Sequence, residues 1–292
     1  DKNRIMGKKS TLTALFLGLF ILVNGQDADS ISYRYRAYGI GTLSQKISFL
    51  SPIKYSGISS SFDWGRFSQI NKKINTRTTY FNGAVTLNNN DQNSEAENPE
   101  ERPIPPTILS LNYGTIFNRR YEVFDKKLPK KMPSISLGWA YWLDTGFDLK
   151  PFNVNNLFYY NLNNMAGLSV GLEKRIHLKK IQLDISNEFI LPILGVYAGT
   201  RHSLALPYSS LIDDTNFWDA FRVGSFETNF QFRNNLNLDF TFVRKKTGTK
   251  HTIGVQYGIN YANLRLNNNN KVQVNHAIKL SYLFNSSRYA HK

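Results

Sequence analysis

The sequence predicts an all-β chain, a transmembrane antiparallel up-and-down β-barrel of about twelve strands, an even number being favoured in such barrels. Three observations predict it. Apolar and polar residues alternate with a period of two over segment after segment. Short polar stretches that tolerate tight turns separate many of those segments. A secretion signal precedes the first of them.

The signal comes first along the chain. Lys2, Arg4, Lys8 and Lys9 lead into the apolar run Leu12 to Val23, and Val23-Asn24-Gly25 offers a cleavage site. This order of positive, apolar and small-residue regions marks residues 1–25 as an export signal, to be set apart from the fold. Asp1–Ile5 precede Met6 and read as an upstream extension. A retained anchor fits less well, because the run is shorter than the roughly 20 residues a membrane helix needs. Residues 26–292 are then expected to form one domain.

The strands follow in order. A first strand is expected near Ile31–Ile40 or Ser44–Leu50, and weaker matches fall at Gly57–Trp64, Thr79–Leu87, Thr107–Ile116 and Leu157–Leu162. Ser134–Leu143, Gly167–Ile176, Ile181–Ile185, Phe226–Arg233, Asn235–Arg244 and His276–Phe284 alternate more clearly. Thr249–Leu264 does so best: Ile253, Val255, Tyr257, Ile259 and Tyr261 share one face, Thr252, Gly254, Gln256, Gly258, Asn260 and Ala262 the other. Only an extended strand with unlike faces has this period. Lys179-Lys180, Asn234-Asn235, Lys246–Thr249 and Asn267–Asn270 read as hairpin turns. Asn88–Pro106 reads as a long solvated loop, and Gly195–Asp219 as a long segment with room for a short helix.

Alternation fits a soluble sandwich as well as a barrel, since a sandwich buries its apolar face and a barrel shows it to lipid. The polar face favours the barrel: it is rich in Ser, Thr, Asn, Gln and Gly and poor in charge. Aromatic residues also gather near strand ends, and Trp139, Trp142, Tyr159, Tyr160 and Trp218 are expected in the belts at the two membrane interfaces. The chain has no cysteine, which excludes disulfides, thiol catalysis and a lipid-modified cysteine anchor.

The net charge of +15 falls to +12 once residues 1–25, with four Lys/Arg and one Asp, are removed. The cations are scattered, with Lys72, Lys73, Arg119, Arg120, Lys245 and Lys246 assigned to turns and no nucleic-acid motif among them. Outer-membrane lipid and lipopolysaccharide are the expected partners, with other envelope proteins beside them and no nucleic acid.

On the signal, the hairpin series and a last strand ending Tyr282-Leu283-Phe284, the chain resembles bacterial outer-membrane β-barrel proteins over essentially residues 30–285. The resemblance implies an outer-membrane location and a closing strand that ends on an aromatic, Phe284. The chain departs from that pattern by running on through Asn285–Lys292.

Catalytic chemistry is weakly signalled. Gly167–Gly171 spells G-x-S-x-G, but a nucleophile elbow needs a strand-to-helix turn and this pentapeptide lies within an alternating strand, so Ser169 is expected to fill the lumen. His202 with Asp213 or Asp214 offers a distant hydrolase reading, and Asp213, Asp214 and Asp219 lack the spacing of a calcium loop. No cofactor, metal or catalytic residue is expected. Asp63, Glu173, Asp184, Glu227, Asp239 and Lys279 fall on polar faces and are expected in the lumen, lining a small pore or forming a salt-bridged plug. The function expected is therefore non-enzymatic, a small channel or an accessory or scaffold subunit of an envelope complex. An outer-membrane lipid hydrolase and a secreted β-sandwich binding a glycan or a protein are the alternatives.

Overall fold

The computed structural model describes residues 30–48, 50, 53–88, 107–123, 133–151, 158–178, 181–199, 221–243, 250–266 and 269–285. The expected export signal, most of 88–106 and the section 200–220 fall outside these residues, and with them the expected short helix. Among the described residues eleven strands are present: β1 (Ser30–Ile47), β2 (Tyr55–Ile70), β3 (Lys73–Leu87), β4 (Thr107–Glu122), β5 (Ser134–Leu149), β6 (Phe158–Leu178), β7 (Ile181–Gly199), β8 (Phe221–Gly224), β9 (Asn229–Val243), β10 (Lys250–Leu266) and β11 (Asn269–Asn285).

Each long strand pairs with its neighbours in sequence, β1 pairs with β11, and β6 with β7 and β7 with β9 complete the ring. Ten strands therefore close an antiparallel barrel without free edges, and β8 adds a short eleventh on β7. Closure satisfies every strand's hydrogen-bonding groups from within, the condition a spanning sheet must meet.

The architecture is the expected one, with fewer and longer strands than the expected dozen or so. The long strands run from 15 to 21 residues, so pairs of short candidates merged. Ile31–Ile40 and Ser44–Leu50 are both largely within β1, and Leu157–Leu162 and Gly167–Ile176 are both largely within β6. Asn234-Asn235 is no turn: the pair lies inside β9, opposite Ile259 and Gly258. Asparagine tolerates turn geometry but does not impose it, and pairing on both sides decides the matter. Where turns were expected at 179–180 and 267–270, the flanking strands do pair directly, Leu178 with Ile181 and Leu266 with Asn269, so that Asn269 and Asn270 belong to β11. The hairpin β2–β3 closes through Asn71, whose φ of 52° is the left-handed conformation that asparagine accepts readily.

Strand direction sorts the connections. One end of the barrel carries Ser30, Asn285, the tight link 71–72 and the strand ends that flank 123–133, 179–180 and 244–249 in the chain. The other carries the strand ends that flank 48–54, 88–106, 150–157, 200–220 and 267–268. These are called below the short-turn end and the long-loop end.

The pleat sorts the side chains. Ile253, Val255 and Tyr257 of β10, Leu236 and Phe240 of β9, Leu109 and Leu111 of β4, and Ile278 and Leu280 of β11 are exposed on the outside. Gln256, Asn235, Gln231, Ser110, Asn112, Asn275 and Ser281 on the same strands are buried inside. Apolar outside and polar inside reverses the arrangement of a soluble sandwich and matches a barrel whose solvent is hydrocarbon.

Candidate functional site: a side-chain-filled lumen

The lumen is an enclosed polar region, and its most buried charged groups fall in three sets. Asp63 of β2 holds two cations on one oxygen: Lys279 Nζ donates to Oδ2 at 2.7 Å and Arg233 Nη2 at 3.2 Å. β2 and β9 lie four strands apart around the ring, so the Arg233 contact crosses most of the barrel. Nearer the long-loop end, Lys271 Nζ of β11 donates to Asp148 Oδ2 of β5 at 2.6 Å and to Asn161 Oδ1 at 3.3 Å. These strands are five apart in a ring of ten, hence on opposite walls. Toward the short-turn end Arg120 meets Glu188 at 3.2 Å and Glu173 at 3.8 Å. Gly171 makes that last set possible, because a side chain there would collide with the Arg120 guanidinium.

Uncharged groups fill the space between. Gln45 Nε2 donates to Thr86 Oγ1 at 3.0 Å and to Ser110 Oγ at 2.8 Å, and Ser59 Oγ donates to Asn275 at 3.0 Å. Trp142 Nε1 donates to Tyr80 OH at 2.7 Å, and the Tyr80 ring lies beneath the Arg233 guanidinium at 5.1 Å. Two apolar clusters complete the filling. Tyr80, Ile116, Ala140, Trp142, Met165 and Ile190 form one. Ile47, Leu50, Tyr55, Ile108, Tyr159 and Tyr197 form the other, at the long-loop end, with Lys271 Nζ 5.5 Å above the Tyr159 ring. An amide-lined cavity of ≈ 40 Å³ lies between Asn82, Asn112, Asn163, Gln231, Asn260 and Asp144. It has room for a few waters.

The expected lumen residues are placed unevenly. Asp63, Lys279 and Glu173 point inward and are paired as above. Asp184 faces inward near the short-turn end, where Arg175 Nε donates to it at 2.7 Å and Gln182 Nε2 at 2.7 Å. Asp239 is opposite Asp184 in register, beside Gly254. Glu227 is not in the lumen: β9 begins only at Asn229, and Glu227 is exposed in the turn before it.

Of the expected belt residues, Trp139 and Tyr160 are exposed on the outer face. Trp142 and Tyr159 are not belt residues but buried lumen groups, since each is one residue removed from an outward position and the pleat reverses direction at every step. Trp218, His202, Asp213, Asp214 and Asp219 lie outside the described residues. Ser169 is buried inside mid-β6, with no helix after it.

Sequence reasoning missed Arg233, Lys271, Asp148 and Glu188, and assigned Arg120 to a turn. Extending the alternation was the available signal. Arg233 has the parity of Asn229 and Gln231, and Lys271 that of Asn275 and Lys279.

Among the described residues no helix is long and apolar enough to cross a membrane, and no group of His, Asp and Glu is placed to hold a metal ion. A closed antiparallel ring with an apolar exterior and a packed polar interior is an outer-membrane-type β-barrel.

No family model matches the chain, and no curated protein matches it. Among solved structures it is similar to the outer membrane protease OmpT from Escherichia coli, at 7% identity and a TM-score of 0.39, over 90% of this chain and 99% of that one. It is also similar to the translocator domain of the autotransporter NalP from Neisseria meningitidis, at 7% identity and a TM-score of 0.33, over 96% of each chain. The toluene transporter TodX of P. putida follows at 8% identity and a TM-score of 0.23, over 89% and 91%. At such values none of the three lends this chain its activity.

Proposed function

We propose that the protein is a closed, non-enzymatic β-barrel of the outer membrane that serves as an accessory or scaffold subunit of an envelope assembly, and that it is not an open channel. One observation carries this reading: Lys271 and Asp148 meet at 2.6 Å from opposite walls. Both groups are also buried, at 1% and 0% exposure, so no water column runs beside the contact. The Arg233–Asp63 contact and the apolar cluster at the long-loop end support the same conclusion. The expected export signal and the Tyr282-Leu283-Phe284 run near the end of β11 support the location.

A buried ion pair offers little net stability over well-packed apolar groups, because desolvation consumes most of the attraction. What it does supply here is rigidity and exclusion of solute. A stiff plugged barrel suits a subunit that holds others at the membrane. Partners of such a subunit are expected to engage it through the long-loop end or the lipid-facing wall.

Single-channel recording in planar bilayers tests the reading. Folded wild-type protein is expected to give no steady conductance, whereas regular unitary currents end the proposal in favour of the small channel. Co-purification from the native envelope under mild detergent then asks whether the barrel travels with other proteins.

A further inference from the structure

We infer that the outer face of β1–β4, toward the short-turn end, is a binding surface for the phosphate headgroups of anionic glycerophospholipids. Arg34 and Arg36 of β1, Arg66 of β2, Arg77 of β3 and Arg119 of β4 all have outward parity on neighbouring strands. Arg66 and Arg77 are direct partners across β2 and β3. Arg66 Nε donates to Ser32 Oγ at 3.3 Å, which sets Arg66 beside the start of β1. Like charges directly opposite one another on a sheet destabilise it unless an anion lies between them.

No described residue supplies that anion. None of the five makes an ion pair among the described residues. No Asp or Glu has outward parity on any of the ten long strands; Asp63, Asp148, Glu173, Asp184, Glu188 and Asp239 all point inward. Among the described residues nothing on this face balances these cations, and an external anion fits there.

Depth on the wall identifies it. The Arg77 guanidinium lies 5.0 Å above the Phe117 ring, that of Arg119 5.6 Å above Trp139, and that of Arg36 5.9 Å above Phe284. Further from the short-turn end the same face carries Trp64, Phe81, Tyr113, Leu111 and Val85, all exposed. Aromatic rings mark the headgroup level and long cationic side chains reach toward it, so the guanidinium groups sit where lipid phosphates lie. A planar guanidinium binds phosphate through paired N–H groups. The short-turn end, holding both ends of the barrel strands, faces the periplasm in an exported barrel, where the leaflet is glycerophospholipid.

Native mass spectrometry of the full chain, refolded and held in neutral detergent, tests this with phosphatidylglycerol and phosphatidylcholine as probes. Wild-type protein is expected to retain phosphatidylglycerol over phosphatidylcholine. The triple variant R34Q/R66Q/R77Q should lose about fivefold or more of the phosphatidylglycerol occupancy, each cation near a membrane surface adding separately to anionic-lipid binding. Lys46→Gln, outward but toward the long-loop end, should leave it unchanged. Folding is checked by the shift in gel mobility on heating. If the triple variant fails that check, the single variants R66Q and R77Q replace it, and each should lower the occupancy. Equal retention of both lipids, or undiminished occupancy in folded variants, overturns the inference. So does displacement by millimolar inorganic phosphate, which marks a free-anion site, or preferential capture of lipid A by the same arginines, which marks the other leaflet. These outcomes are independent of whether the lumen conducts.

Discussion

Asp63 neutralises two buried cations with a single oxygen, and the arithmetic of that site is unforgiving. Asp63→Ala leaves Arg233 and Lys279 facing each other without a counter-charge, and breaking a buried pair in this way costs about 3–5 kcal/mol. Urea titration of the protein in lipid vesicles, followed by tryptophan fluorescence, should show that loss. The double change Asp148→Leu with Lys271→Met removes both partners and should cost far less, because no charge is stranded. Tryptophans provide a second test at this scale. Trp139 and Trp64 are exposed on the outer face, and Trp142 is enclosed between Tyr80 and Met165. With the other tryptophans changed to Phe, brominated lipid should quench Trp139 and Trp64 strongly and Trp142 hardly at all. Strong quenching of Trp142 is incompatible with its inward orientation. Single residues are also where the sequence misled most. Trp139, Tyr141 and Trp142 look alike as a cluster, yet a strand sends 139 and 141 one way and 142 the other. Alternation fixes sidedness along a strand well, but a composition cluster carries no parity.

At the scale of elements, β7 is the irregular member. It pairs with β9 from Ile181 to Ile190 and with β8 from Gly195 to Ala198, and the residues between are bulged against Ala166 and Gly167 of β6. β8 and β9 are one strand interrupted by a turn at 225–228, in which Asn229 N donates to Ser225 O at 2.8 Å. Thr228 O accepts from Arg265 N at 2.8 Å, so the turn stays attached to β10. The bulge switches parity: Ile190 faces the lumen before it and Tyr197 after it, although seven positions apart they have opposite parity. Tyr197 thereby reaches Arg265 O, donating at 2.7 Å, and joins the long-loop cluster. Deleting Ile193 restores regular alternation and leaves Tyr197 inward, whereas Tyr197→Ala removes the ring from the cluster. Loss of a buried aromatic from a packed cluster costs about 3–5 kcal/mol, readable in the same urea titration. A deletion without effect shows the bulge to be dispensable. Nothing in the residues 190–199 announces the bulge except Pro192, whose missing N–H cannot join a ladder. Strand existence was legible from periodicity. Strand length was not, because polar residues such as Asn234 and Asn187, paired to each other on the outer face, broke the apolar period without breaking the strand.

For the molecule as a whole, the reversed polarity was the most legible property, since it is written in every strand and does not depend on where any one begins. How the interior is filled was not legible, because the contacts that cross it join residues far apart in the chain, 123 positions for Lys271 and Asp148 and 170 for Arg233 and Asp63. The notion of a plug makes a direct prediction. Lys271→Ala and Arg233→Ala together remove both cross-wall contacts and enlarge the ≈ 40 Å³ cavity toward both ends. The variant should pass ions in planar bilayers where the wild type does not. A silent variant that is shown to be folded places the barrier in the apolar cluster at the long-loop end instead.

Strutted from within, this cylinder should resist being squeezed oval when the surrounding lipids press on it. A hollow barrel of equal strand number adapts its cross-section to its neighbours; one spoked by Lys271–Asp148 and Arg233–Asp63 keeps a fixed outline. Whatever docks on that wall therefore meets a rigid shape rather than a yielding one.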